Sequence, residues 1–145
     1  MKRRTMVMLF AVVLPVLVAV VGGCEPQRTL VPADKGLIGD VPVPTTFKFD
    51  PEHSSGYTSQ DGRERYCNYH YKGRAFFTDV EAFYKRQMPV DGWRLQQDVS
   101  AGGRKTLYFR KGGIDPTATN VPTCVVTIFA KDEYATAIQI VRTER

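Results

Sequence analysis

Histidine is nearly missing from this chain. Only His53 and His70 occur in 145 residues, so an acid–base or hydrolytic centre would have to be built around one of them. His53 stands near Ser54 and Ser55 in a polar stretch with no Gly-x-Ser-x-Gly turn, and it reads as an exposed loop residue. Cys67-x-x-His70 has a spacing suggestive of zinc, but on a strand the two side chains point to opposite faces. The oxygen-rich spacing of a calcium loop is also lacking. Asp61-Gly62 and Asp115 are isolated, and Asp132-Glu133 reads as a hairpin turn. No catalytic, cofactor-binding or metal-binding residue is therefore expected. The alternative is a hydrolase of scattered residues, in which His53 or His70 meets a carboxylate in a cleft.

A large excess of one charge is missing too, once the amino terminus is set aside. Met1-Lys2-Arg3-Arg4-Thr5 is basic, and Met6 to Gly23 carries no charge and one proline, Pro15, which is the form of a secretory signal. It ends in Val21-Gly22-Gly23-Cys24, which resembles the lipobox of bacterial lipoproteins. That resemblance implies a diacylglycerol on the Cys24 thiol and cleavage just before it, so that Cys24 begins the mature protein. An uncleaved membrane helix is the alternative, with the same topology: Lys2, Arg3 and Arg4 inside, the rest outside. Two acyl chains on one residue suffice for stable anchoring. Loss of residues 1–23 removes three of the twenty Lys and Arg, leaving seventeen basic residues against fifteen acidic ones, a net of +2 where the whole chain has +5. Near balance outside the cytoplasm argues against nucleic acid as a partner.

Residues 24–45 carry Pro26, Pro32, Pro42 and Pro44 with Gly36 and Gly39 and little hydrophobic periodicity, and they read as a lipidated tether. Twenty such residues could span about 65 Å. Leu30-Val31 and Leu37-Ile38 offer apolar pairs for docking on a partner. Residues 46–145 make one domain. Thr46 to Phe49 reads as a short strand and Asp50 to Gly56 as a loop. Glu64 to Lys72 alternates, with Cys67, Tyr69 and Tyr71 on one face.

Thr78-Asp79-Val80-Glu81 has the form of a capping box, which predicts a helix over about 79–88 that buries Val80, Phe83, Tyr84 and Met88 and stops at Pro89. Trp93, Leu95 and Val99 are expected inward on the next strand, and Gly102-Gly103 turns it back into Leu107 and Phe109. Cys124 to Phe129 is nearly continuous apolar, as in a central strand, and Ile138 and Ile140 face inward on the last. The expectation is a two-layer α+β domain: a mostly antiparallel sheet of five or six strands with one helix across one face.

Tyr71-x-Gly73, Phe83-Tyr84-x-x-x-Met88-x-x-x-Gly92-Trp93 and the lead-in Val41-Pro42-Val43-Pro44 resemble a small exported bacterial domain of unknown function. The resemblance covers about residues 41–142 and implies a fold without an assigned activity. Cys67 and Cys124, outside the cytoplasm, are either a disulfide worth about 4 kcal/mol or two buried thiols. A simple meander of the last four strands would keep them too far apart to bridge. Arg63, Arg65, Lys72, Arg74, Arg104, Lys105, Arg110 and Lys111, with Tyr66 and Tyr108, form either a patch for anionic envelope groups or a solvated sheet face.

The functional expectation is a lipid-anchored binding or accessory module of the bacterial cell envelope, membrane-bound through Cys24. It would have no catalytic activity of its own, and its partner would be an envelope protein or polymer. The alternatives are a structural subunit docked through residues 25–45 and, behind it, the hydrolase.

Overall fold

Six segments of the chain are extended, and each finds a neighbour to pair with. The structure, a computed structural model, describes residues 29–33, 37–61, 64–112 and 121–144. Val21–Cys24, Arg63 and Asp115 lie outside the described residues. The strands are β1 (Phe47–Thr58), β2 (Arg65–Phe76), β3 (Trp93–Ala101), β4 (Arg104–Lys111), β5 (Thr123–Lys131) and β6 (Tyr134–Glu144). They form one antiparallel sheet in the order β1-β2-β6-β5-β4-β3. Helix α1 (Phe77–Gln87), prolonged by a 3₁₀ turn at Met88–Asp91, packs on one face and completes a two-layer α+β domain.

Alternation along each strand decides which side chains meet the helix. Tyr71 of β2, Ile138 and Ile140 of β6, Cys124, Val126 and Ile128 of β5, and Leu107 and Phe109 of β4 all point inward and are buried. From the helix, Val80, Phe83 and Tyr84 close over them at helical spacing, followed by Met88. Trp93 is 1% exposed and is the largest fully buried side chain. The β3–β4 connection is the two-residue turn Gly102-Gly103. Its φ values of 54° and 72° are the left-handed pair that a tight hairpin turn needs.

Four expectations change. Asp50 to Gly56 is strand, not loop: β1 runs on to Thr58, with its irregularity confined between Asp50 and Ser55. On β3 a bulge between Leu95 and Gln97 shifts the alternation, turning Asp98 towards the helix and Val99 away from it. Leu95 and Val99 are 39% and 37% exposed on this edge strand. The Thr78–Glu81 capping box does not form. Phe76 is the N-cap, with no side-chain cap hydrogen bond, and the Phe77 N–H donates to the Glu133 carbonyl at 2.9 Å. Glu81 is drawn instead to Lys85 (2.6 Å) and Lys105 (3.1 Å), which Asp98 also accepts at 2.7 and 2.6 Å. Two cations between two carboxylates hold the helix to the β3–β4 hairpin, a better use of Glu81 than one backbone N–H. Pro89, finally, does not end the helical path. It sits in the first turn of the 3₁₀ segment, where its missing N–H costs nothing, and Gly92 (φ 83°) ends the run.

The boundary at residue 46 also moves. Ile38, Val41 and Val43 are buried in the same core as Tyr71 and Phe83, and Leu30 packs against it. Pro32 and Pro44 form an antiparallel bridge, with the Ala33 N–H on the Val43 carbonyl (2.8 Å) and the Thr45 N–H on the Val31 carbonyl (3.0 Å). The described part of residues 29–45 is thus folded against the domain, because its scattered apolar residues cover the end of the inner face that the helix leaves bare.

The close approach of the start of β1 explains Gly73. A Cβ there would lie 2.4 Å from the Thr46 carbonyl oxygen and 2.8 Å from the Phe47 ring. Gly73→Ala is therefore expected to destabilise the domain by about 1–3 kcal/mol, read as a lower urea midpoint with an unchanged slope.

Candidate functional site

Asp40 is where the leading segment meets the sheet. Its Oδ1 accepts from Arg142 Nη1 at 2.6 Å, its Oδ2 pairs with Lys111 Nζ, and its backbone carbonyl accepts from Trp93 Nε1 at 2.7 Å. The two cations lie 5.4 Å (Lys111) and 5.7 Å (Arg142) from the Trp93 ring centroid, within cation–π range. Arg142 Nη2 also reaches Glu144 at 3.1 Å. Arg142 continues the inward parity of Ile138 and Ile140, and the folded-back Asp40 carboxylate together with Glu144 compensates its charge there.

Beside this clasp a cavity of about 410 Å³ opens between Leu37–Gly39 and the ends of β1 and β2. Ile38, Cys67, Tyr69 and Arg142 lie towards the core, while Arg65, Tyr57 and Leu37 are exposed. Tyr57 and Tyr66 are cross-strand partners stacked with centroids 5.9 Å apart, and Tyr57 is 59% exposed. Gly56 leaves room here, since a Cβ would press to 3.1 Å on the Tyr66 carbonyl and 3.4 Å on the Tyr69 hydroxyl. With Arg142 held by Asp40 and Glu144, the Arg65 guanidinium, the Tyr69 phenol and an apolar rim are what the cavity offers, which suits a ligand with an anionic group and an apolar part.

The cysteines do not bridge. Cys67 and Cys124 both pair with Arg142, one on each side, so β6 separates them. Two strand spacings are about 9.6 Å, beyond the Cα separation of a disulfide. Both are thiols, Cys67 half-buried and Cys124 fully buried. Burial pushes the Cys67 thiol up, against the opposing pull of Arg142, and burial pushes Cys124 much further. The Tyr71 and Tyr84 hydroxyls are also buried, without a hydrogen-bond partner, and burial lifts Tyr71 to about 12.

The histidines meet on the opposite side of the sheet edge. His53 Nδ1 donates to Asp50 Oδ2 at 2.8 Å, its ring centroid is 6.3 Å from that of His70, and Lys72 Nζ holds the same carboxylate oxygen at 2.7 Å. His53 therefore does meet a carboxylate, but on a strand and with its side chain 60% exposed. Ser54 Oγ donates to the Asp50 carbonyl (2.6 Å) and accepts from the His70 N–H (2.8 Å), so it closes the β1 bulge and is not aligned on His53 as a nucleophile. Asp50, Glu52 and His53 place ligand atoms within 4.8 Å of one another. Lys72 already neutralises Asp50 there, which works against a cation. Lys72 is the main cause holding the Asp50 carboxyl below its usual range, with His53 assisting against burial. Cys67 faces the cavity and His70 the outer face, so the pair does not share a metal.

The basic residues divide between the two faces. Lys105 and Lys111 turn inward to Asp98 and Asp40, Arg65 rims the cavity, and Lys72, Arg74, Arg104 and Arg110 lie with Tyr66 and Tyr108 on the outer face. Asp132, at φ 58°, and Glu133 form the β5–β6 turn as expected. Asp40 and Arg142 were not singled out by sequence. The Ile138-Ile140-Arg142 parity was the available signal for one, and nothing local marked the other.

Fold and cavity together define a small α+β domain with a polar groove closed on one side by its own leading segment. No protein-family model, curated protein or solved structure matches the chain, so its resemblance to an exported domain stands on the sequence motifs alone.

Cys67 should alkylate in the native protein more slowly than a free thiol at pH 7 and speed up as pH rises, while Cys124 reacts only on unfolding; mass spectrometry after timed maleimide exposure reads both. For Asp50 the folded value lies below the unfolded one. Its contribution is present above about pH 4 and is lost as pH falls through the lower, folded value. Urea midpoints between pH 6 and 2 should fall, with a flatter decline in Asp50→Asn.

Proposed function

We propose that this chain is a lipid-anchored module of the bacterial cell envelope that binds through its groove and has no catalytic activity of its own. The observation that carries the binding reading is the meeting of the Arg65 guanidinium, the Tyr69 phenol and the apolar Leu37-Ile38 rim at one open cavity. These groups hold charge and ring faces. They do not supply a nucleophile with a base, and the one carboxylate–imidazole pair noted above lies outside the cavity lining. The membrane reading rests on the signal-like amino terminus and Val21-Gly22-Gly23-Cys24. An anionic envelope polymer, such as a phosphate-bearing glycan, fits the groove's chemistry. A protein docked on the leading segment is the second reading, favoured by the 60% exposure of Val31 and Leu37, although Ile38, Val41 and Val43 are already used in the domain's own core.

Intact mass and detergent partitioning of the protein made in a bacterial host should show a chain beginning at Cys24 with added acyl mass, absent in Cys24→Ala. An unacylated soluble chain would remove the membrane from the function. For the groove, titration with a poly(glycerol phosphate) oligomer should give binding that Arg65→Ala weakens about tenfold, the cost of one charge-assisted hydrogen bond. Tyr69→Phe should weaken it as well, and an affinity unchanged from the parent protein in both variants would place the ligand elsewhere.

A further inference from the structure

We infer that the domain rests directly on its membrane, with the end of the sheet bearing Thr45, Lys48, Lys72 and Arg74 against anionic lipid headgroups and the groove held at the far end. This placement depends on lipidation of Cys24. Thr29, the first described residue, is five residues beyond Cys24, and five residues reach at most about 18 Å when fully extended. A free tether to residue 45 would have allowed more than three times that reach. Docking of the leading segment removes the difference.

The direction of docking orients the domain. Val31 and Ala33 pair antiparallel with Thr45 and Val43, so the chain arriving from Cys24 runs alongside Thr46 and Phe47. Phe47 is the register partner of Gly73, whereas the groove lies where Thr58 pairs with Arg65. Eight residues of β2 separate those rows, about 26 Å at the rise of a strand. The anchor therefore attaches at one end of the β1–β2 ladder and the groove opens at the other.

The anchored end has the surface for the contact. Val31 is 60% exposed beside it. Lys48 and Lys72 are paired across the strands, both exposed, and Arg74 follows on the same edge with its guanidinium 4.1 Å from the Tyr134 ring. Asp50 neutralises one of these three cations through Lys72. The Asp132-Glu133 turn next to Tyr134 carries negative charge, which tilts the contact towards β1 and away from the β5–β6 turn.

The test uses the mature acylated chain in vesicles of phosphatidylglycerol and phosphatidylethanolamine containing a headgroup-labelled quencher lipid. A fluorophore is placed at Thr45→Cys or Thr58→Cys in a Cys67→Ser background. Quenching should be several-fold stronger at position 45 than at 58, and Lys48→Glu with Arg74→Glu should reduce it at 45. Equal quenching at both positions, or stronger quenching at 58, in protein whose acyl mass has been verified would overturn the placement and leave the anchor standing. A chain without acyl mass would overturn both.

Discussion

Asp40 receives two cations and an indole N–H, and the arrangement of the domain depends on that convergence. It joins the leading segment to β3 through Trp93, to β4 through Lys111 and to β6 through Arg142. Without it, Arg142 would stand at an inward position with only the Glu144 carboxylate as a partner. Breaking a buried pair costs about 3–5 kcal/mol, and the partial exposure of Asp40 and Arg142 lowers that figure without cancelling it. The clasp also fixes where Ile38, Val41 and Val43 enter the core, and so closes the end of the sheet that α1 does not reach.

The same segment that completes the core also forms one wall of the groove. Binding, stability and attachment are therefore coupled in the proposed reading: Leu37–Gly39 lines the cavity, Asp40 holds it in place, and the chain a few residues earlier leads to Cys24. A ligand filling the groove would press on the clasp. An anchor that pulled the leading segment away would uncover both the groove and the Trp93 edge of the core. Such coupling gives a physical reason for a short connection, since a docked leader transmits position where a loose linker would not.

Much of the fold was legible because it depends on local periodicity. Val80, Phe83 and Tyr84 at helical spacing, Leu107 and Phe109 alternating, Gly102-Gly103 between two strands and the apolar run at β5 each carry their own signal. The misses share another cause. The bulge of β3 inserts one residue and the irregularity of β1 inserts three, and no local pattern announces inserted residues. Glu81 left its capping role because two lysines, Lys85 and the sequence-distant Lys105, offered it stronger partners. Proline and glycine in residues 29–45 disguised a docked segment as a linker, because its apolar residues match the irregular gap they fill instead of a helix or strand period.

The amino-acid sequence by itself determined the buried face of the helix, the inward faces of β2, β4, β5 and β6, and the separation of Cys67 from His70, because these follow from repeats of two and 3.6 residues along the chain. It also held the motif on which the anchoring proposal rests. Tertiary structure alone decided that β6 lies between the two cysteines, that Arg142 is held beside Asp40, and that Arg65, Tyr69 and Leu37-Ile38 share one cavity. Those contacts join residues as many as 102 positions apart, and only the strand order and the folded-back leader bring such groups within reach of one another.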